Sequence, residues 1–263
     1  MIWVIAGTLD GRNLAVTVRE TTKEPVFVSV VSQYGAQLAA HEGIEVHTGR
    51  LDKEAMKEII ADKKIRLLID ASHPYAAVVT ATARDAAAEM NIPFLRFERK
   101  EVPLPDYDKL HHVSNEVEAA ALAGKLASSL HKRVYLTTGS KTMGIFAKAE
   151  ALQYIDVWTR VLPTAEVLGI MEDLGVSPKR IIAMQGPFSY DMNKVMFADT
   201  KADVVVMKNS GLVGGSDTKL QAAIDLGLHI IVIDRPEPAK GAMTISTAQE
   251  FCDLWEDKTS GLH

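Results

Sequence analysis

The stretch Met1-Ile2-Trp3-Val4-Ile5-Ala6-Gly7-Thr8-Leu9-Asp10-Gly11-Arg12 decides how the rest of the chain is read. Its run from Ile2 to Ala6 is apolar without alternation, the pattern of a strand covered on both faces. A glycine marks a turn, and a helix begins near Gly11. The same order repeats outward. Pro25 to Val31 predicts a second strand and Ile44 to His47 a short third. Ala55, Met56, Ile59 and Ile60 then recur at helical spacing. Arg66 to Asp70 predicts the next strand, Ala76 to Met90 a helix of small residues, and Pro93 to Phe97 another strand. Strands alternating with helices imply an α/β fold with a mostly parallel sheet, helices on both faces.

The Pro- and charge-rich stretch from Arg99 to Lys109 breaks this rhythm, so the domains are expected at 1–108 and 109–263. Beyond it Ser114 is placed to cap a helix running to Ser129, its hydroxyl accepting from a first-turn amide. Strands are predicted at Arg133 to Thr137, Tyr154 to Val161, Arg180 to Met184, Asp203 to Met207 and His229 to Ile233. Helices fit Thr164 to Leu174, Tyr190 to Ala198 and Asp217 to Leu226. Ser246 and Gln249 read as a capping box for a last helix in which Phe251 and Trp255 share a face. The paired His111 and His112 fall in the linker and read as exposed, with no partners at metal-ligand spacing.

Composition narrows the function. A net charge of −5 argues against general affinity for nucleic acid, whose backbone attracts clustered cations. The lone cysteine, Cys252, excludes an internal disulfide and a thiolate metal cluster within one chain. No apolar run approaches the roughly 20 residues of a membrane span. The opening residues read as a buried strand rather than a signal peptide, so a cytoplasmic protein is expected.

In open α/β sheets ligands gather beyond the carboxyl ends of the strands. Gly7, Thr8, Asp10 and Arg12 follow the first strand. There a glycine lets amides approach a phosphate and a helix N-terminus favours negative charge, although the spacing is not G-x-G-x-x-G. After the second strand, Ser32, Tyr34 and Gly35 stand where an Asp or Glu would bond an adenosine 2′-hydroxyl, and its absence leans towards NADPH. His73 and Tyr75 follow the fourth strand. A lone histidine is more often structural than catalytic, but this one sits at a strand end. Arg96 and Arg99 follow in the first half. Lys141, Arg160, Lys208, Ser210, Gly214, Gly215, Lys219 and Arg235 stand at or beyond strand ends in the second. Each has a plain reading as turn chemistry or solvated charge. Together they predict a cationic rim for an anionic ligand. Neither a G-x-S-x-G elbow nor a Walker phosphate loop is present.

The ordered strings AGTLDGR, SQYGA, TGRLD, DASHPYA, LRFERK, TTGSK, RVLP, QGPFS, KNSGLVGG and IDRP, from the first strand to Pro236, resemble the precorrin-6A reductase family, which includes the cobalt-precorrin-6A reductases. The family commonly has two glycines and a Glu at the first turn, where this chain has Ala6-Gly7 and Asp10; Gly11 replaces a usual Ala. The resemblance implies two Rossmann-like domains with the active-site cleft between them. It implies hydride transfer from NADPH or NADH to a ring double bond of a carboxylate-bearing macrocycle in cobalamin biosynthesis. On that reading Gly7, Thr8, Asp10, Arg12, Ser32, Tyr34 and Gly35 hold the dinucleotide. Arg96, Arg99, Lys141, Arg160, Lys208, Ser210, Gly214, Gly215, Lys219 and Arg235 hold the macrocycle. His73, Tyr75 or water supplies the proton. Cobalt would belong to the substrate, with no metal held by the protein, and protein partners would be other cobalamin-pathway enzymes. Two alternatives stay open from the residues alone: a non-catalytic NAD(P)-sensing module, and a nucleotide-sugar transferase with twin Rossmann-like domains.

Overall fold

The computed structural model describes residues 1–236, 242–257 and 262. The first half runs β1 (Ile2–Ile5), α1 (Leu9–Thr22), β2 (Val26–Val30), α2 (Gln33–Ala39), β3 (Ile44–Thr48), α3 (Lys53–Asp62), β4 (Leu67–Asp70), α4 (Ala77–Glu89) and β5 (Phe94–Phe97). Then follow β6 (Leu110–Val113), α5 (Glu116–Ser128), β7 (Arg133–Leu136), α6 (Met143–Ala147), β8 (Asp156–Val161), α7 (Ala165–Asp173), β9 (Ile181–Ala183), α8 (Tyr190–Asp199), β10 (Val204–Lys208), α9 (Ser216–Asp225) and β11 (His229–Ile233). The chain closes with β12 (Met243–Ile245) and α10 (Ala248–Glu256).

Two compact units result: Met1–Lys100 with Pro236–His263, and Glu101–Arg235. The expected second domain, 109–263, is therefore too long at its end. The reason is strand pairing. β12 adds to β5 of the first sheet, and α10 packs on α1. Arg66 holds this tail to the first unit: its guanidinium lies 4.7 Å from the centre of the Trp255 ring and donates to the Leu262 carbonyl.

The first sheet has the order β3-β2-β1-β4-β5-β12, and every recorded pairing is parallel. Side-chain alternation splits its core in two. Ile2, Val4, Val26, Val28, Leu67 and Ile69 face α1 and α10, with Leu14, Val18 and Phe251. Trp3, Phe27 and Leu68 face α3 and α4, with Met56, Ile60, Ala83 and Ala87. Consequently α1 and α4, which follow the neighbouring strands β1 and β4, leave on opposite sides of the sheet. A crevice opens at such a switch point.

The second sheet has the order β9-β8-β7-β10-β11-β6, also parallel throughout. With β7 in the role of β1, this is the first sheet's order again. Only the edge strand's source differs: β6 precedes its unit's other strands, whereas β12 comes from the far end of the chain. The switch point here falls between β7 and β10.

Two predicted caps move by one residue. Asn115, not Ser114, caps α5, and its side chain accepts from the Glu118 amide. Thr247 caps α10 and accepts from Glu250, while Glu250 reaches back to the Ser246 amide, so the capping box does not use Gln249. Phe251 and Trp255 do stack on one face. His111 and His112 lie on β6 rather than in a linker. His111 bonds His229 at 3.1 Å, and His112 contacts Asp234 at 2.9 Å.

Candidate active site

At the first unit's switch point β1 passes through Gly7 into α1. The Thr8 hydroxyl caps this helix by accepting from the Gly11 amide at 3.2 Å. The two glycines are there for different reasons. A Cβ on Gly11 would lie 2.8 Å from the Ala71 carbonyl oxygen and 3.1 Å from Ala6 Cα, so only glycine lets α1 come this close to the end of β4. A Cβ on Gly7 would meet nothing within 4 Å. Among the described residues nothing requires a glycine at position 7, and the space over it lies at the N-terminus of a 14-residue helix, where amides and dipole favour an anion.

Beside this turn is a shallow depression lined by Thr8, Asp10, Ala71, Ser72, Pro74, Phe97 and Arg99. Asp10 and Arg99 form a 2.8 Å ion pair within it. Beneath lies a buried clamp. Asp70, at the end of β4, is fully buried and accepts from the Ser72 amide. Arg96 is 3% exposed, sits opposite Asp70 in the sheet register, and contacts its carboxylate at 2.9 Å. Its guanidinium also donates to the carbonyls of Asp70 and Ser72 and to the Ser72 hydroxyl. The guanidinium of Arg96, which was expected to hold the macrocycle, is engaged in shaping the loop that carries His73. Burial of a charge demands such a partner.

His73 is half-buried, and its Nδ1 accepts from the Tyr75 amide at 3.3 Å. That bond assigns the proton of the neutral ring to Nε2. The two rings are 5.7 Å apart. The expected helix start at Ala76 is close to the observed Ala77, so both residues stay in the loop. After β2, the Ser32 hydroxyl caps α2 by accepting from the Gly35 amide, and Tyr34 is exposed. No carboxylate stands in Ser32 to Gly35. Arg12 is partly exposed on α1.

The second unit's switch point is built differently. After β7 comes Gly139 at φ 79° and a single 3-10 turn carrying exposed Lys141, then α6 of only five residues. After β10, Gly211 and Gly215 both have positive φ, and a Cβ on Gly214 would lie 2.5 Å from Ser210 Cβ. Ser210 is buried, its amide donating to the Ser216 hydroxyl at 2.9 Å. Ser210, Gly214 and Gly215 thus shape a tight turn. Asn209, which the sequence reading left out, clamps Val102 in both directions, at 3.1 and 2.7 Å.

The expected rim of cations is largely neutralised. Lys208 pairs with Glu116 at 2.8 Å, and Arg235 with Glu101 at 3.0 Å. Lys219 is buried on α9. Burial alone would raise the Glu116 pKa, but hydrogen bonds from Lys208 and its own amide, with the lysine's charge, hold it below the ordinary value. Arg160 has no ion pair among the described residues. It is 8% exposed and bonds Asn193 and Met196, with its guanidinium 4.1 Å from the centre of the Phe188 ring. Asn193 had not been singled out, and Phe188 only within the string QGPFS. An aromatic following Gly-Pro in a strand-end loop was the one available signal. Among the described residues no group of three or more His, Cys, Asp or Glu converges as a metal site, and no helix is long and apolar enough to cross a membrane.

These features define an α/β protein with a doubly wound parallel sheet in each unit, the first with an open glycine between its leading strand and a long helix. Comparison with known proteins goes further. The family model described as "CbiJ: Precorrin-6x reductase CbiJ/CobK" matches residues 1–255, and the chain belongs to this family. It is 37% identical to the cobalt-precorrin-6A reductase of Priestia megaterium over 98% of this chain and 99% of that one. It is 35% identical to the enzyme of the same name from Methanothermobacter thermautotrophicus, covering 89% and 76%. A solved structure, "CobK precorrin-6A reductase", shares the fold with a TM-score of 0.77 at 23% identity, covering 100% of this chain and 98% of that one.

Proposed function

We propose that the protein reduces precorrin-6A or cobalt-precorrin-6A to the corresponding 6B compound in cobalamin biosynthesis, with NADPH or NADH as the reductant. The observation that carries this reading is the β1–β4 switch point, with open space over Gly7 at the N-terminus of α1. These residues fit a dinucleotide. Gly7 and Thr8 would take the pyrophosphate at the helix N-terminus, with Asp10, Arg12, Ser32, Tyr34 and Gly35 around the remainder. The lack of an acid after β2 favours NADPH, whose 2′-phosphate a carboxylate would repel.

When bound, the reduced nicotinamide supplies the hydride. The chain's own residues bind, orient and supply a proton. Orientation accounts for most of the rate, because fixing both reactants removes much of the entropic barrier. Lys141, Arg160 and Lys219 would hold carboxylates of the macrocycle. Arg99, Lys208 and Arg235 would do so by exchanging Asp10, Glu116 and Glu101 for substrate carboxylates. His73 Nε2–H is the proton donor this reading favours, with Tyr75 beside it.

The test is anaerobic incubation with each macrocycle and each nucleotide, following loss of reduced-nicotinamide absorbance. Turnover with one macrocycle is the expected result. Nicotinamide binding without turnover on either macrocycle would leave a sensing module, and binding of a nucleotide-sugar in its place a transferase. His73→Ala should lower kcat by roughly 100-fold or more if its proton transfer is rate-limiting. Near-normal turnover would reassign the donor to Tyr75 or water.

A further inference from the structure

β8 turns two hydrogen-bond donors toward α8. Trp158 and Arg160 stand two residues apart in the strand and so project to one face. Trp158 packs against the cluster that includes Met196 and Phe188, the two residues that also touch Arg160. The Trp158 Nε1 is buried and has no hydrogen-bond partner among the described residues. Arg160 spends only Nη1, on Asn193 Oδ1 at 2.8 Å and Met196 Sδ at 3.6 Å. Its Nε and Nη2 donate to nothing among the described residues. Among the described residues it has no ion pair with an acid, and burial draws its pKa below the ordinary value, opposed by Tyr135.

Arg66 shows in the same chain what such a pair of nitrogens binds. Its Nε and Nη2 grip the two oxygens of Glu24 side-on. In Arg160 the equivalent edge has no carboxylate, although the side chain is more deeply buried than that of Arg66. That edge of the guanidinium is open to solvent rather than sealed in the core. Its plane is nonetheless fixed. Phe188 covers one face of the guanidinium, and the Phe188 carbonyl is tied by Thr218 Oγ1 at 3.0 Å and Asn193 Nδ2 at 3.3 Å. A Cβ on Gly186 would lie 2.8 Å from the Phe188 ring, so glycine there makes room for this placement.

We infer that the Nε–Nη2 edge of Arg160 binds one carboxylate of the substrate side-on, with Phe188 and Asn193 as positioning residues that hold the guanidinium plane. This rests on the reading of the protein as a reductase of a polycarboxylate macrocycle. The planar fork matches a carboxylate in a way that a lysine ammonium cannot.

The experiment titrates the whole chain with a stable polycarboxylate porphyrin and, separately, with NADPH. It is paired with steady-state reduction of precorrin-6A. Arg160→Gln should weaken porphyrin binding by roughly 10- to 100-fold, the range for a charged hydrogen bond. Arg160→Lys should restore little of that loss. Phe188→Leu should weaken binding by about 2- to 5-fold, the low end of the range for a cation–π contact, since the guanidinium itself remains. In these variants KM for the macrocycle should rise while kcat and NADPH affinity hold. Unchanged porphyrin affinity in Arg160→Gln overturns the inference, as does a loss confined to NADPH, which would make the anion a nucleotide phosphate. If Arg160→Gln does not fold, Phe188→Leu decides, and an unchanged affinity there overturns it. Should the wild type bind porphyrin through Arg160 yet reduce neither macrocycle, the functional reading fails and the carboxylate site stands.

Discussion

The two units repeat one strand order and set opposite charges at the equivalent strand end. In the first sheet the strand beside the switch point ends in Asp70; in the second it ends in Lys208. Each is neutralised, Asp70 by buried Arg96 and Lys208 by partly exposed Glu116. The turn from the leading strand differs as well. β1 feeds a long helix through an open glycine, whereas β7 feeds a single 3-10 turn and a short helix. The shared topology therefore fixes where a ligand can sit, and the side chains at the strand ends decide which ligand that is. A helix N-terminus suits a pyrophosphate. Arg160 on β8 suits a carboxylate instead.

The sharpest way to break this comparison is to remove the cation of each pair. Arg96→Met would strand Asp70 as an uncompensated buried charge and should cost about 3–5 kcal/mol. Lys208→Met leaves Glu116 in contact with water and should cost about 1 kcal/mol or less. Urea unfolding of both variants measures the gap, and equal costs would mean that Asp70 does not depend on Arg96. The glycines of the first turn give the next largest effects, and of different kinds. Gly11→Val should destabilise by about 1–3 kcal/mol through overpacking against Ala71. Gly7→Val should leave stability within about 0.5 kcal/mol, as at an unconstrained surface site, while weakening NADPH binding by roughly tenfold or more through blocked phosphate approach. A Gly7→Val protein that bound NADPH normally would remove the dinucleotide from this turn.

These contrasts also show what the sequence could reveal. Unbroken apolar runs such as Trp3-Val4-Ile5 and Val204-Val205-Val206 announce buried parallel strands, because both faces are covered. β6 escaped notice because Leu110-His111-His112-Val113 interrupts that signal with two polar residues at a sheet edge. β12 is three residues long, and its partner β5 lies almost 150 positions earlier, a distance that local pattern does not span. Strand-end placement picked out the cations, but not their partners. Asp10 and Arg99 meet because the first turn of α1 and the segment after β5 converge, and Arg96 meets Asp70 through sheet register. The Trp158–Arg160 face was equally hidden, because an orphaned donor is visible only once every neighbour is placed.

The smallest expected effect separates the two edge strands. β12, Met243-Thr244-Ile245, holds no titratable group, whereas β6 places His111 against His229 of β11. Burial lowers the His229 pKa from its ordinary 6.5, helped by the charges of His111 and Lys109 and opposed by Asp203. The folded state thus binds fewer protons than the unfolded chain at acid pH. The stability contributed by neutral His229 is complete above pH 6.5 and is lost as pH falls through the lowered value. Hydrogen exchange should then show amides of β6 and β11 losing protection below pH 6.5 sooner than those of β12 and β5. His229→Gln should remove the difference. Equal pH slopes at the two edges in the wild type would mean that the histidine pair does not set the acid sensitivity of the second sheet.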